Sequence, residues 1–222
     1  ISLNKGIRAS KGKYIARMDG DDISLPDRIE KQCNFMEENP QIGILGTGYY
    51  IIDENEGRKE VFIYPTENIE IRWKLLTGPI FPHPTAMVRK KVLLKNDILY
   101  RENLLIAQDY DLWIRLMDYT DGTNLPIPLI EYRRHSKKVS ILRSHNQKKV
   151  RLTVSAKALS NLIKHHLVYP QNAALFERVV KCDLHPLSIT ELKHGSILFF
   201  LVLKYFFSHS YNSMVPKKRL KS

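Results

Sequence analysis

The chain has 222 residues, of which 43% are apolar, enough to bury the core of one α/β domain and carry a smaller appendage. Its two cysteines, Cys33 and Cys182, lie far apart, which argues against a disulfide framework or a cysteine metal knuckle and fits a reducing compartment. The net charge of +12 is uneven, since residues 133–222 hold 18 Lys and Arg against 3 Asp and Glu, and residues 1–132 hold 17 against 20.

The first predicted elements lead to an acidic cluster. Residues 2–10 form an amphipathic stretch typical of a helix that ends near Gly12. Because the chain starts at Ile1 and its opening already has helical character, we expect further sequence upstream. Residues 14–18 are an apolar run typical of a buried strand, and Asp19-Gly20-Asp21-Asp22 follows directly. Ligands of open α/β sheets bind at the carboxyl ends of strands, so this position favours a site.

A helix is predicted next. Ser24 is its candidate cap, Pro26 lies in its first turn, and Pro40 closes it. Three residues at helical spacing mark the predicted apolar face: Ile29, Cys33 and Met36.

A hairpin and a helix follow. Residues 42–52 form a long apolar strand, and a turn at 53–57 leads to a second strand at 61–64. A helix that ends at Gly78 comes next, and a loop at 81–84 precedes a further strand.

The body of the chain is predicted to end with a helix and a strand. The helix covers residues 109–117, with Asp109 in its first turn, and the strand covers residues 129–134. The apolar face of this helix carries Leu112, Trp113 and Leu116. Beyond about residue 145 the pattern is helical and basic. We place a domain boundary near Lys138, which separates a body at 1–138 from a tail at 139–222.

The three carboxylates at Asp19, Asp21 and Asp22 repel one another unless a cation or hydrogen-bond donors offset their charge. Mg²⁺ or Mn²⁺ suits this spacing, because both ions prefer oxygen ligands and fill the rest of their shell with water and phosphate oxygens. The alternative is an acidic surface turn that only leads into the next helix. Spacing alone does not decide between the two.

Several motifs follow one another along the chain: Asn4, Gly6, Ala9 and Gly12; residues 14–22; Pro26-Asp27-Arg28; His83-Pro84-Thr85 with Met87 and Arg89; residues 108–115; and Tyr132-Arg133-Arg134-His135. In this order and spacing, over roughly residues 2–140, the sequence resembles bacterial family 2 glycosyltransferases with the GT-A fold.

The resemblance implies an α/β fold of the GT-A type, a mixed sheet flanked by helices, with a C-terminal helical tail. It implies hexosyl transfer with inversion from a nucleoside-diphosphate sugar to an acceptor hydroxyl, in the synthesis of a cell-surface polysaccharide. The first βαβ units of the family, which hold the base and ribose, would lie upstream of Ile1, so we expect residues 1–222 alone to be weakly active or inactive.

The resemblance also implies roles for single residues. Asp19 and Asp21 correspond to the metal- and diphosphate-binding pair, with Mn²⁺ or Mg²⁺ as the ion and Asp22 as a weaker candidate ligand. Asp109 corresponds to the catalytic base that takes the acceptor proton. Gln108 stands where the family usually has Glu, which puts the orientation of the base or acceptor in doubt.

For other candidate residues the sequence allows two roles each. His135 is either a metal ligand or a surface histidine, and His83 and Trp113 are either acceptor contacts or packing residues. Asn4 and Arg8 are candidate contacts to the donor, although basic residues on an exposed helix face, Arg8 and Lys5 among them, are often only solvated.

The basic tail contains an apolar segment at residues 197–203, interrupted by Lys204 and too short for a bilayer span of about 20 residues. We predict an interfacial helix with Tyr205 and Phe206 at the boundary, peripheral at the cytoplasmic face of the cell membrane, near a glycan or lipid-linked acceptor. The alternative is a helix buried against the body or in an oligomer interface. No nucleic-acid signature accompanies the scattered basic residues. The cations expected at anionic headgroups are Lys193, Lys217, Lys218 and Arg219.

Two other functions use the same features. A metal-dependent nucleotidyl or phosphoryl transferase would use the acidic cluster but would need no counterpart of Asp109. A non-catalytic, truncated domain would only dock its basic tail on a membrane or partner.

Overall fold

The computed structural model of the protein describes residues 2–53, 57–134, 144–163, 168–183 and 187–214. The chain forms two compact units, Ile1–Arg151 and Leu152–Ser222. The boundary predicted near Lys138 lies outside the described residues and stays a prediction.

The first unit is built on a mixed six-stranded sheet with the order β1-β5-β3-β6-β2, and β4 also pairs with β3. The pair β3 and β6 is parallel, whereas β1 with β5, β5 with β3, β2 with β6 and β3 with β4 are antiparallel. The strands are β1 Tyr14–Ala16, β2 Ile23–Ser24, β3 Ile42–Ile52, β4 Arg58–Phe62, β5 Met87–Arg89 and β6 Asp121–Arg133.

Helices accompany this sheet and make up the second unit. In the first unit they are α1 Ser2–Ala9, α2 Arg28–Glu38, α3 Asn68–Lys74, α4 Lys90–Lys95 and α5 Gln108–Met117, with a 3₁₀ turn at His83–Thr85. The helix α6 Ser144–Leu162 begins in the first unit and continues in the second, which also holds α7 Pro170–Val180 and α8 Ile189–Met214.

The central strand β3 lies between β5 and β6, and its residues from Ile42 to Gly48, which alternate between the two faces, are all buried. A strand in this position is covered on both faces, which explains its nearly continuous apolar run. Met36 from α2 and Met87 from β5 pack with Ile42 and Leu45 in one buried cluster. The predicted hairpin is confirmed, since β4 pairs antiparallel with the end of β3.

The start and the buried face of α2 differ from the prediction. Ser24 is not the cap, because it lies in β2 opposite Ile130, and the helix begins at Arg28 after Asp27. The helix buries Arg28, Gln32 and Met36, while Ile29 is 48% exposed. Arg28 and Gln32 can replace apolar residues because they hydrogen-bond to each other and to backbone carbonyls.

The last strand of the first unit is longer than predicted. Residues 129–134 form only the end of β6, which starts at Asp121 and contains Pro126 and Pro128. The β3–β6 register shifts between Thr47 and Gly48, next to these prolines. Because proline lacks the N–H that a ladder requires, a sequence pattern does not predict a strand there.

The second unit is helical. Ala173 and Phe176 of α7 and Leu198 and Val202 of α8 are buried. Over the part of the chain that the structure describes, no helix combines the length and apolar character needed to cross a membrane.

Candidate active site

The acidic loop, defined here as Asp19–Asp22, leaves the end of β1 and precedes β2. One carboxylate oxygen from each of Asp19, Asp21 and Asp22 lies within 4.8 Å of the others. Asp22 is buried, whereas Asp19 and Asp21 are partly exposed. These all-oxygen donors fit a hard divalent cation, which would also offset the repulsion among the carboxylates.

Asp22 and Arg133 fasten the end of the acidic loop to β6. The backbone N–H of Arg133 donates to Oδ1 of Asp22 at 3.0 Å, and Nε of Arg133 donates to the carbonyl of Asp21 at 3.1 Å. One carboxylate oxygen of Asp22 therefore holds the loop in place, which gives this residue a structural contact in addition to its predicted weaker role at the metal.

Arg17 and Arg28 support the start of the same loop. Nη2 of Arg17 lies 2.5 Å from Oδ1 of Asp19 in an ion pair. Nη2 of Arg28 donates to the carbonyl of Arg17 at 2.7 Å. Burial, and to a smaller degree the charge of Arg17, lowers the pKa of Arg28 to about 10. Arg28 thus stays charged at neutral pH and fixes the backbone from which the acidic loop emerges.

Asp109 lies in the first turn of α5, as predicted. Ala107, directly before the helix, has the left-handed φ of 53°, and this sharp turn sets the start of α5. Asp109 is partly exposed and lines a cavity of about 340 Å³ together with Lys148 and Arg151 from the start of α6.

His83 connects the surroundings of the two acidic sites. Its Nε2 lies 2.8 Å from the hydroxyl of Tyr100. Burial lowers the pKa of His83 to about 4, and the charges of Asp109 and Asp19 oppose this shift while that of Arg17 adds to it. The imidazole is therefore neutral at physiological pH, and it lies within electrostatic range of both Asp109 and Asp19. Burial also raises the pKa of Tyr100, whose hydroxyl keeps its proton.

Three further predicted residues have structural contacts. The Asn4 amide donates to the carbonyl of Tyr100 at 2.8 Å and accepts from its N–H at 2.9 Å, which favours a structural role over donor binding. Trp113 is buried and donates from Nε1 to the carbonyl of Phe81, which favours packing over contact with an acceptor. His83 packs edge-on against the Trp113 ring, with centroids 5.9 Å apart.

The other predicted residues are less constrained. Arg8 and Lys5 are exposed on α1, and Gln108 is partly exposed at the first position of α5. His135 lies outside the described residues, so its predicted metal contact stays a prediction.

Sequence reasoning missed Arg17 and Tyr100. Arg17 carried a signal, because it is a charged residue near the end of a run that is otherwise typical of a buried strand. Tyr100 carried none, since its partners Asn4 and His83 are distant in sequence.

The chain is similar in sequence to known glycosyltransferases. Residues 1–96 match the family described as Glycosyl transferase family 2. Over these residues the chain is similar to that family. An uncharacterized glycosyltransferase of Methanocaldococcus jannaschii is 41% identical over 119 residues, 51% of this chain and 39% of that protein. The O-antigen biosynthesis glycosyltransferase WbnJ of Escherichia coli is 37% identical over 140 residues, 62% of this chain and 54% of that protein. The chain thus spans about half the length of the curated relatives it matches.

Solved structures support the fold. The crystal structure of S. aureus TarS 1-349 in complex with UDP-GlcNAc superposes with a TM-score of 0.54 at 12% identity, covering 91% of this chain and 60% of that chain. At this identity the likeness concerns the fold alone. The predicted α/β fold of the GT-A type, a mixed sheet flanked by helices with C-terminal helices, is confirmed.

Proposed function

We propose that this chain is the metal- and acceptor-binding part of a glycosyltransferase that transfers a sugar from a nucleoside-diphosphate sugar to an acceptor hydroxyl with inversion. The observation that carries the proposal is that the acidic loop and Asp109 both lie within electrostatic range of one partly buried imidazole, that of His83. The family match over residues 1–96 and the sugar nucleotide bound by TarS support the same reaction. The name of WbnJ supports a surface polysaccharide as the product.

Asp21 and Asp19 would hold the divalent cation, Mn²⁺ or Mg²⁺, while Asp22 keeps the loop attached to β6. The ion supplies positive charge where the departing diphosphate becomes more negative. The rigid attachment of the loop matters because a ligand set that is already in place needs no rearrangement during the reaction.

Asp109 acts as the general base. Its carboxylate accepts the proton of the acceptor hydroxyl while the hydroxyl oxygen forms a bond to the anomeric carbon of the sugar and the bond to the diphosphate oxygen breaks. A carboxylate suffices, because the hydroxyl becomes acidic only as the new bond forms. Attack from the face opposite the leaving group inverts the anomeric centre.

The helix α8 supports contact with a membrane surface. Six residues at helical spacing form one exposed stripe along it: Ile189, Lys193, Ile197, Phe200, Lys204 and Phe207. Apolar side chains interrupted by lysines suit the boundary between acyl chains and anionic headgroups, where a lipid-linked acceptor is presented at the cytoplasmic face. Co-sedimentation with vesicles should show binding to anionic but not neutral lipids, and Phe200→Ser should weaken it.

The function is tested with the product of the complete reading frame and a panel of sugar nucleotides, with and without Mn²⁺. We expect release of nucleoside diphosphate from one donor, dependent on Mn²⁺ and stimulated by an acceptor glycan. Release of inorganic diphosphate instead would favour a nucleotidyl transferase. Failure to bind either Mn²⁺ or any nucleotide would favour the non-catalytic docking domain.

A further inference from the structure

Arg17 has a fixed backbone at the end of β1. Its N–H donates to the carbonyl of Ala86 at 2.9 Å, and its carbonyl accepts from Nη2 of Arg28 at 2.7 Å. Arg28 itself is only 1% exposed. The Arg17 side chain therefore starts from a well-defined point, and its guanidinium reaches a limited set of positions.

One nitrogen of the Arg17 guanidinium, Nη1, does not donate a hydrogen bond to any residue that the structure describes. Nη2 pairs with Asp19, whereas Nη1 is buried and finds no hydrogen-bond acceptor among the residues that the structure describes. A buried donor without an acceptor destabilises a fold, so such a group points to a partner that the isolated chain lacks.

The surroundings of Arg17 offer space for such a partner. Arg17 lines a cleft of about 540 Å³ together with Tyr100 and Trp113. Its charge also lowers the pKa of His83, the same imidazole that the charges of Asp19 and Asp109 reach. Arg17 is thus a cation that pairs with a proposed metal ligand, Asp19, and acts on the same imidazole as the proposed base, Asp109.

We infer that Arg17 is a contact for the diphosphate of the donor and that it exchanges partners, pairing with Asp19 in the metal-free protein and with phosphate oxygens when Asp19 binds a divalent cation. The inference rests on the proposed function. Without a metal, Arg17 offsets the charge of one of three crowded carboxylates. When the Asp19 carboxylate binds a metal ion instead, the Arg17 guanidinium loses its ion pair and lies near a second positive charge. An anion such as a diphosphate can then pair with both the guanidinium and the metal ion.

Isothermal titration calorimetry on the protein encoded by the complete reading frame tests this exchange of partners, because it measures binding rather than turnover. Mn²⁺ is titrated alone, and then inorganic diphosphate, UDP and UDP-sugar are titrated at saturating Mn²⁺. In the Arg17→Gln variant we expect Mn²⁺ to bind as tightly as in the parent protein or more tightly, because its competitor for Asp19 is gone. The three diphosphate ligands should each bind roughly tenfold or more weakly, since a charge-assisted contact is lost.

Two further variants control the titration. Arg17→Lys keeps the charge but not the planar fork, and we expect it to recover part of the diphosphate affinity. Lys74→Gln removes a cation from an exposed ion pair with Glu70 on α3, and neither titration should change. Circular dichroism of each variant establishes that it is folded.

The outcomes separate the inference from the proposed function. If Arg17→Gln weakens Mn²⁺ and diphosphate by the same factor, Arg17 only positions the acidic loop and the exchange is wrong. An unchanged diphosphate affinity, or a loss confined to UDP-sugar, also overturns it. If the parent protein binds neither Mn²⁺ nor any diphosphate, the proposed function itself fails.

Discussion

The acidic loop and the first turn of α5 hold their carboxylates in different ways. Asp21 and Asp22 of the loop bond to Arg133 of β6, and Arg17, two residues before the loop, bonds to the carbonyl of Ala86 and to Arg28 of α2. The carboxylate of Asp109, in contrast, makes no hydrogen bond or ion pair with any residue in the described part of the chain, and the placement of α5 positions it. A metal ligand benefits from fixed geometry, whereas a base needs free lone pairs for the proton it accepts. This difference in support matches the different roles proposed for the two sites.

The largest effects are expected from substitutions of Asp109 and Asp21, which should impair turnover and metal binding separately. Asp109→Asn should lower kcat about 10²- to 10⁴-fold and leave Mn²⁺ affinity unchanged, because the base is lost but the metal ligands remain. Asp21→Asn should abolish Mn²⁺-dependent donor binding. Turnover assays combined with titration of Mn²⁺ measure both effects. Asp118→Asn, directly after α5, is the matched control. Full activity of Asp109→Asn would support a nucleotidyl or phosphoryl transferase instead.

The attachment of the acidic loop to β6 is tested by Arg133→Ala. Loss of the contact to the Asp21 carbonyl should weaken Mn²⁺ binding about 10- to 100-fold, as expected for a residue that orients metal ligands. Arg134→Ala is the neighbouring control, because that side chain is exposed and only 3.7 Å from Glu60 in a loose ion pair. Equal effects of the two variants would show that the loop does not depend on Arg133.

Asp22 is expected to affect stability more than chemistry. Asp22→Ala removes the acceptor for the Arg133 N–H and should lower the free energy of unfolding by about 1–3 kcal/mol. Asp22→Asn keeps an oxygen there and should lose much less. Urea unfolding followed by the fluorescence of Trp73 and Trp113, both in the first unit, measures the difference. If Asp22→Asn instead abolishes Mn²⁺ binding in a stable protein, the main role of Asp22 is to bind the metal rather than to hold the Arg133 N–H.

The smallest expected effect is a pH dependence from His83. Its pKa is about 4 in the folded protein and about 6.5 when unfolded, so the unfolded chain binds more protons between these values. The contribution of His83 to stability is complete above about pH 6.5 and is lost as the pH falls toward 4. Lowering the pH from 7.5 to 5.5 should reduce the free energy of unfolding by about 1 kcal/mol. The same unfolding experiment on His83→Gln should show a smaller dependence, and an equal one would assign the effect to other groups.

The sequence predicted those parts of the site that local pattern determines. The strand before the acidic loop, the long strand β3 and the position of Asp109 at the start of a helix follow from periodicity and spacing within one segment. The family resemblance then named the roles. What the sequence did not predict depends on partners far along the chain, because Arg28 is buried through contacts with other elements and Asn4 bonds to Tyr100. Such long-range polar contacts produce no periodic pattern in the amino-acid sequence from which they could be predicted.

Ala107 links the precision of the site to the stability of the protein. A non-glycine residue in the left-handed region costs roughly 1–2 kcal/mol, and this one lies two positions before Asp109. A glycine at this position would remove the strain and give the unfolded chain more freedom, and it would also let the start of α5 vary. The relieved strain, roughly 1–2 kcal/mol, outweighs the added freedom of the unfolded chain, roughly 0.5–1 kcal/mol, so Ala107→Gly should raise stability slightly while it loosens the start of α5. An Ala107→Gly variant should therefore be tested for loss of the proposed activity before a higher melting temperature is counted as a gain.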